Sequence, residues 1–167
     1  MSGRSDLRDL YQEVILDHGK RPRNFGPLPS ANLRAEGYNP LCGDRETISL
    51  RLEGDVVKDV AFEGSGCAIS TASASMMTES VRGKSRAETE ALFEKFHDLL
   101  TGEKKAPAGG PALGKLEVFS GVREYPVRIK CATLPWHTLK AALSGEGQTV
   151  STEDGAEASP REEPTAC

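Results

Sequence analysis

The stretch Ile48-Ser49-Leu50-Arg51-Leu52-Glu53-Gly54-Asp55-Val56-Val57-Lys58-Asp59-Val60-Ala61-Phe62 decides the fold. Ile48, Leu50 and Leu52 alternate with polar residues, the period-two pattern of a half-buried strand. Glu53-Gly54-Asp55 supplies the turn, and the run Val56 to Phe62 returns as the second strand of a hairpin. Beyond the hairpin the chain turns helical. Ile69 to Arg82 is rich in small residues and Met and enters after the glycine-rich turn Gly64-Ser65-Gly66. Ser85 and Glu88 make a capping-box signature ahead of Leu92, Phe93, Phe96, Leu99 and Leu100, an amphipathic helix that Gly102 ends. Glu103 to Gly114 is a loop by its Pro and Gly content. A last helical region runs from about Val127 to Leu143, with Pro135 inside it; that ring removes a bond to the carbonyl of Cys131.

Upstream of the hairpin, Leu7, Leu10, Tyr11, Val14, Ile15 and His18 recur at helical spacing, with Ser5 as cap and Gly19 as stop. Lys20 to Pro40 reads as irregular, and its basic part, Lys20 to Asn24, reads as a solvated loop with docking as the other option. Strands grouped early and helices grouped later predict an α+β domain: a small antiparallel sheet of about three strands with helices packed on one face. The domain takes in residues 1–145. Residues 146–167 hold many acids and almost nothing apolar, so they form an expected disordered tail, with Cys167 as an exposed thiol.

The chain has 167 residues, 21 Lys and Arg, and 25 Asp and Glu. That length suits one domain with a real core. With no concentrated basic run, nucleic-acid binding is not expected. No segment approaches the roughly 20 apolar residues that span a bilayer, so no membrane association is expected. Met1 to Asp9 has no apolar h-region, so the expected location is the cytoplasm, where thiols stay reduced. Four cysteines there point to metal binding, thiol chemistry or burial rather than disulfides.

Three of them have distinctive surroundings. Cys42 sits in Asn39-Pro40-Leu41-Cys42-Gly43-Asp44, Cys67 in Gly64-Ser65-Gly66-Cys67-Ala68, and Cys131 near the start of the last helix. Separations of 25 and 64 residues match no zinc-finger knuckle. Glycines beside a cysteine, however, let backbone approach an ion, and a helix N-terminus stabilises the thiolate of Cys67. Asp44, two residues from Cys42 on an extended segment, projects to the same side. Three thiolates and one carboxylate make a tetrahedral set suited to zinc, while an all-sulfur set suits an iron–sulfur cluster more readily. Taken singly, each cysteine reads equally as a small core residue, and Asp44 as a turn residue. His18, His97 and His137 read as structural or surface histidines, and Arg82 to Glu94 as a solvated helix face.

The sequence resembles the SufU branch of the IscU/NifU N-terminal family of iron–sulfur assembly proteins. The resemblance rests on Leu10 to His18, Asn39 to Asp44, Gly64 to Ser70, and Arg128-Ile129-Lys130-Cys131-Ala132-Thr133-Leu134. Scaffolds of the IscU type carry a histidine immediately before the last cysteine; Lys130 stands there, and it is protonated at neutral pH. The stretch Phe119 to Pro126 resembles the insertion of the SufU branch. The resemblance implies a zinc site at Cys42, Asp44, Cys67 and Cys131. It also implies that Cys42 accepts persulfide sulfur from the cysteine desulfurase SufS and passes it to the SufBCD complex. On this reading the chain is a sulfur carrier with no turnover unless its desulfurase is present. Arg128, three residues before Cys131 on one helix face, is a candidate for stabilising anionic sulfur. The alternatives are a scaffold that builds a [2Fe–2S] cluster on the same ligands and a structural zinc domain. A zinc hydrolase fits least, since a closed four-ligand site leaves no position for water.

Overall fold

The computed structural model describes residues 3–40, 43–104, 109, 111–145 and 149–151, and side chains among these from Arg8 to Gly145. Helix α1 (Gly3–Lys20) is followed by strands β1 (Leu33–Asn39), β2 (Asp44–Glu53) and β3 (Val56–Ser65). Then come helices α2 (Ala68–Val81) and α3 (Arg86–Thr101), a 3-10 segment (Gly114–Glu124), helix α4 (Pro126–Leu143) and a short strand β4 (Thr149–Ser151). The sheet order is β3-β2-β1-β4. The first three strands are antiparallel and β4 runs parallel to β1.

The β2–β3 hairpin forms where the alternation placed it, with Gly54 at φ 60° in its turn. Ile48, Leu50, Val57, Val60 and Phe62 are buried against the helices. Ser85 caps α3 reciprocally: its hydroxyl accepts from Glu88 N at 3.1 Å, and Glu88 Oε1 accepts from Ser85 N at 2.9 Å. Gly102 closes the helix in the left-handed region at φ 83°. Helix α4 runs through Pro135 and lies against β1, β2 and β4, while α2 lies between α1, α4 and β3. Within the core, Trp136 stacks on Phe96 at 4.9 Å and on Phe93 at 5.9 Å, and Phe96 meets Phe119 edge-on. Phe119 comes from the 3-10 segment, where Leu116, Phe119 and Val122, three of its four buried residues beside Val118, recur every three positions. In a helix of three residues per turn such positions eclipse on one face, so the apolar period selects this geometry.

Several expectations are corrected. Lys20 to Pro40 is not irregular throughout: Leu33–Asn39 forms β1, paired with β2 from Leu33↔Leu50 to Asn39↔Asp44. Its inward positions Ala35, Gly37 and Asn39 are small or polar, so the alternation carried little hydrophobic signal. Gly37 has a packing role, because a Cβ there would land on Thr138 Oγ1 of α4. Ser5 lies inside α1, which already begins at Gly3. Leu10, placed on the inward stripe, is 54% exposed. Within the segment expected to be a disordered tail, Thr149–Ser151 pairs with β1; residues 146–148 and 152–167 lie outside the described residues. The basic stretch after α1 is tied down, with Asp17 accepting from Arg21 at 2.6 Å and from Arg23 at 2.8 Å.

Candidate metal centre

Asp44, Cys67 and Cys131 arrive from the start of β2, the N-cap of α2 and the second turn of α4, and their ligand atoms all lie within 4.8 Å of one another. Cys42 lies outside the described residues. Its loop is closed on both sides: Asn39 and Asp44 face each other in register, and Gly43 N donates to Asn39 O at 2.8 Å.

The three donors are held by local chemistry that follows from the chain. Asp44, fully buried, accepts from Cys67 N at 2.8 Å through Oδ1, and its Oδ2 is 3.8 Å from Cys67 Sγ. Gly66 makes this approach possible, since a Cβ there would come within 2.8 Å of Asp44 Oδ1 and 2.5 Å of Ser70 Oγ. Cys67 takes the N-cap place usually filled by a hydroxyl or carboxylate, and Ser70 N donates to its Sγ at 3.4 Å. The neighbouring Cys131 thiol, then the N–H groups of Ser70 and Ile69, bring the Cys67 thiol down to about 6. Burial and the Asp44 charge act the other way. Cys131, also fully buried, has two donors aimed at its sulfur: Asn39 Nδ2 at 3.6 Å and Arg128 Nη1 at 3.8 Å.

This donor set fits zinc. Two sulfurs and a carboxylate converge in a buried pocket, one thiol is already acidified, and hydrogen bonds favour the anionic form of both sulfurs. A [2Fe–2S] cluster would use the same sulfurs.

Sequence reading assigns no role to two residues that matter here. Asn39 stands in the motif Asn39 to Asp44 without a function of its own. Glu46, which shares the inward face of β2 with Asp44, is 2% exposed, and its Oε1 has no hydrogen-bond partner among the described residues. Burial first, and then the charges of Asp44 and Cys67, push its carboxyl well above the usual range, with the Ser70 hydroxyl pulling back. Both break the apolar alternation of their strands, which is the signal that could have found them. The histidines stay away from the three donors. His18 Nδ1 and the Ser75 hydroxyl share a hydrogen bond of 2.6 Å, and that hydroxyl also accepts from Arg23 N at 2.8 Å. His137 packs edge-on against Phe93. His97 lies near Asp98 and Glu103 at the end of α3.

The fold and the sequence have known counterparts. The zinc-dependent sulfurtransferase SufU of Bacillus subtilis is 42% identical over 146 residues, covering 87% of this chain and 97% of that protein. An iron–sulfur cluster assembly scaffold protein IscU of Streptococcus pyogenes is 43% identical over 139 residues, 83% of this chain and 86% of its own length. A putative iron–sulfur cluster assembly scaffold protein for the SUF system from Fervidobacterium islandicum superposes with a TM-score of 0.72 at 37% identity. That match covers 78% of this chain and 94% of that one. Residues 10–144 match the model of the NifU-like N terminal domain, and the chain belongs to that family.

Proposed function

We propose that the chain is a zinc-dependent sulfur acceptor of SUF-type iron–sulfur assembly. It takes persulfide sulfur onto Cys42 from the desulfurase SufS in the cytoplasm and passes it to SufBCD. The observation that carries this reading is the convergence of Asp44, Cys67 and Cys131 within 4.8 Å. Chain connectivity adds Cys42, because two residues of backbone keep its Cα within about 7 Å of that of Asp44. Two similar proteins of nearly the same length, named as a sulfurtransferase and as an assembly scaffold, support a role in iron–sulfur assembly. Lys130 before Cys131 favours the sulfurtransferase.

Cys42, Asp44, Cys67 and Cys131 would hold the metal. Bound zinc keeps the thiols deprotonated without oxidising them. The thiolate of Cys42 attacks the outer sulfur of the donor persulfide. A new sulfur–sulfur bond forms at Cys42, the donor's sulfur–sulfur bond breaks, and the donor cysteine leaves as a thiolate. Asp44, Cys67 and Cys131 stay in place meanwhile. Arg128 lends positive charge beside the sulfur that carries the negative charge.

The test starts with metal and labile sulfide in protein purified under reducing conditions. About one zinc per chain with no iron or sulfide is expected, with zinc weakened in Asp44→Ala. Incubation with a cysteine desulfurase and labelled cysteine should then label the native chain and leave Cys42→Ser unlabelled. Stoichiometric iron and sulfide with only traces of zinc would sink the acceptor reading in favour of the scaffold. Sulfur labelling of Cys42→Ser equal to that of the native chain would remove Cys42 from its role.

A further inference from the structure

Glu46 follows Asp44 by two residues on β2, so both side chains turn to the same inward face, with Cα atoms about 7 Å apart. It is 2% exposed, and among the described residues its Oε1 has no hydrogen-bond partner. Burying a carboxyl oxygen without a partner is unfavourable, so an orphaned one in the core calls for a reason. The charges that act on Glu46 are those of Asp44 and Cys67, both donors of the candidate metal centre. A divalent ion held by those donors is a cation close to all three acids.

The surroundings keep Glu46 beside the donors without making it one of them. Its oxygens stand outside the group in which the ligand atoms of Asp44, Cys67 and Cys131 lie within 4.8 Å. The Ser70 hydroxyl bonds its carboxyl, and Ser70 N donates to Cys67 Sγ at 3.4 Å. Glu46 thus rests against the turn of α2 that presents the thiolate. On the sheet, both of its cross-strand neighbours are glycines, Gly37 on β1 and Gly64 on β3. Neither strand sets a side chain beside it, although Thr138 of α4 packs over Gly37. Glutamate is also one methylene longer than aspartate, which suits it to reach back towards a metal that Asp44 binds from nearer by.

We propose that Glu46 is a reserve metal ligand, an inference that rests on the sulfur-acceptor reading and extends it. When the Cys42 thiolate leaves the metal to carry sulfur, the Glu46 side chain turns from Ser70 towards Asp44, Cys67 and Cys131. The metal–sulfur bond to Cys42 breaks, a metal–oxygen bond to Glu46 forms, and no electron changes hands. One anionic ligand replaces another. Four protein ligands are kept, which closes the position to water and holds the metal while Cys42 is loaded. On the return of Cys42 the carboxylate goes back to Ser70.

A double-mutant cycle with cobalt(II) tests this, since cobalt occupies zinc sites and its visible absorption reports coordination number. The full chain is stripped of metal under reducing conditions and titrated with Co2+ as the native sequence, Cys42→Ala, Glu46→Gln and the pair together. In the native chain Glu46→Gln should change cobalt affinity by less than about twofold. In Cys42→Ala the same change should weaken it more than about tenfold, a coupling typical of residues that share a partner. Cys42→Ala alone should keep the strong visible bands of four-coordinate cobalt, and the pair should lose them as water enters. Equal effects of Glu46→Gln in both backgrounds overturn the proposal, because Glu46 then only shapes the fold around the donors. Four-coordinate bands that survive in the pair overturn it too. Circular dichroism checks folding, and Glu46→Asp, which keeps the acid but shortens its reach, completes the same cycle if Glu46→Gln does not fold. Failure of the acceptor reading looks different: the native chain then takes no sulfur label from the desulfurase, whatever the cobalt spectra show.

Discussion

Asn39 is the residue whose role is plainest in physical terms. It is buried at the end of β1, opposite Asp44, and donates to Cys131 Sγ. A donor of this kind orients a ligand and favours its anionic form, and losing such a partner typically weakens a metal site by about 10–100-fold. Asn39→Ala should therefore retain the fold and lose zinc affinity by a factor in that range, measured by chelator competition. Affinity equal to native would show that the contact does not orient the ligand. His137 gives a second residue-scale prediction, remote from the metal donors. Burial, then the neighbouring charges of His97 and Lys140, lower it from 6.5 to about 4. The ring is neutral in the fold, so the unfolded chain takes up a proton first as pH falls. Stability present above pH 6.5 is thus lost between 6.5 and 4, by roughly 3 kcal/mol at full protonation. Urea unfolding at pH 7 and pH 4.5 with chelator present should show a flatter pH dependence in His137→Gln. Parallel curves for the two chains would assign the acid lability elsewhere.

Among the elements, β1 joins fold to site, and its seat on α4 depends on Gly37. A methyl group there meets Thr138 Oγ1 and Leu134 Cδ1. Overpacking at a close element contact costs about 1–3 kcal/mol. Gly37→Ala should lower the denaturant midpoint accordingly, and because Asn39 lies two residues along the same strand, it should weaken zinc binding as well. An unchanged midpoint would mean that α4 can shift at no cost. The same strand shows where sequence reading ran out. The β2–β3 hairpin was legible because Ile48, Leu50, Val57, Val60 and Phe62 are large, and α3 because Ser85, Glu88 and Gly102 mark its ends. Strand β1 was not, because its inward side chains are small or polar; β4 was not, because three residues gain order only from their partner. The period of three in Leu116, Phe119 and Val122 was visible but belongs to a helix type seldom sustained for 11 residues. At the site, Asp44, Cys67 and Cys131 were legible from glycine and helix-start contexts. Asn39 and Glu46 depend on which strand face turns inward, and that needs the sheet.

At the scale of the whole molecule, the aromatic stack is separate from the metal donors, with Trp136 more than a turn beyond Cys131 on α4. Trp136, Phe93, Phe96 and Phe119 are buried with Ile48, Leu50, Met76, Met77, Leu92, Leu100 and others in one continuous core. None of these depends on a metal for burial. A small zinc domain behaves differently, because its core is too thin to fold without the ion, and chelation unfolds it. Here the core is large enough that binding adds stability only by mass action, about 3–4 kcal/mol at 100 to 1,000 times the dissociation constant. Stripping zinc with a chelator under reducing conditions should therefore leave the far-UV circular dichroism nearly unchanged. The melt should remain cooperative and shift to lower temperature. Exchange should rise around Asn39, Cys67 and Cys131 but not in α3. Such a result fits a metal that manages thiol reactivity rather than one that builds the domain. Loss of helical signal on chelation would instead favour the structural-zinc reading, and the sulfur-acceptor role of Cys42 would then need direct proof by transfer alone.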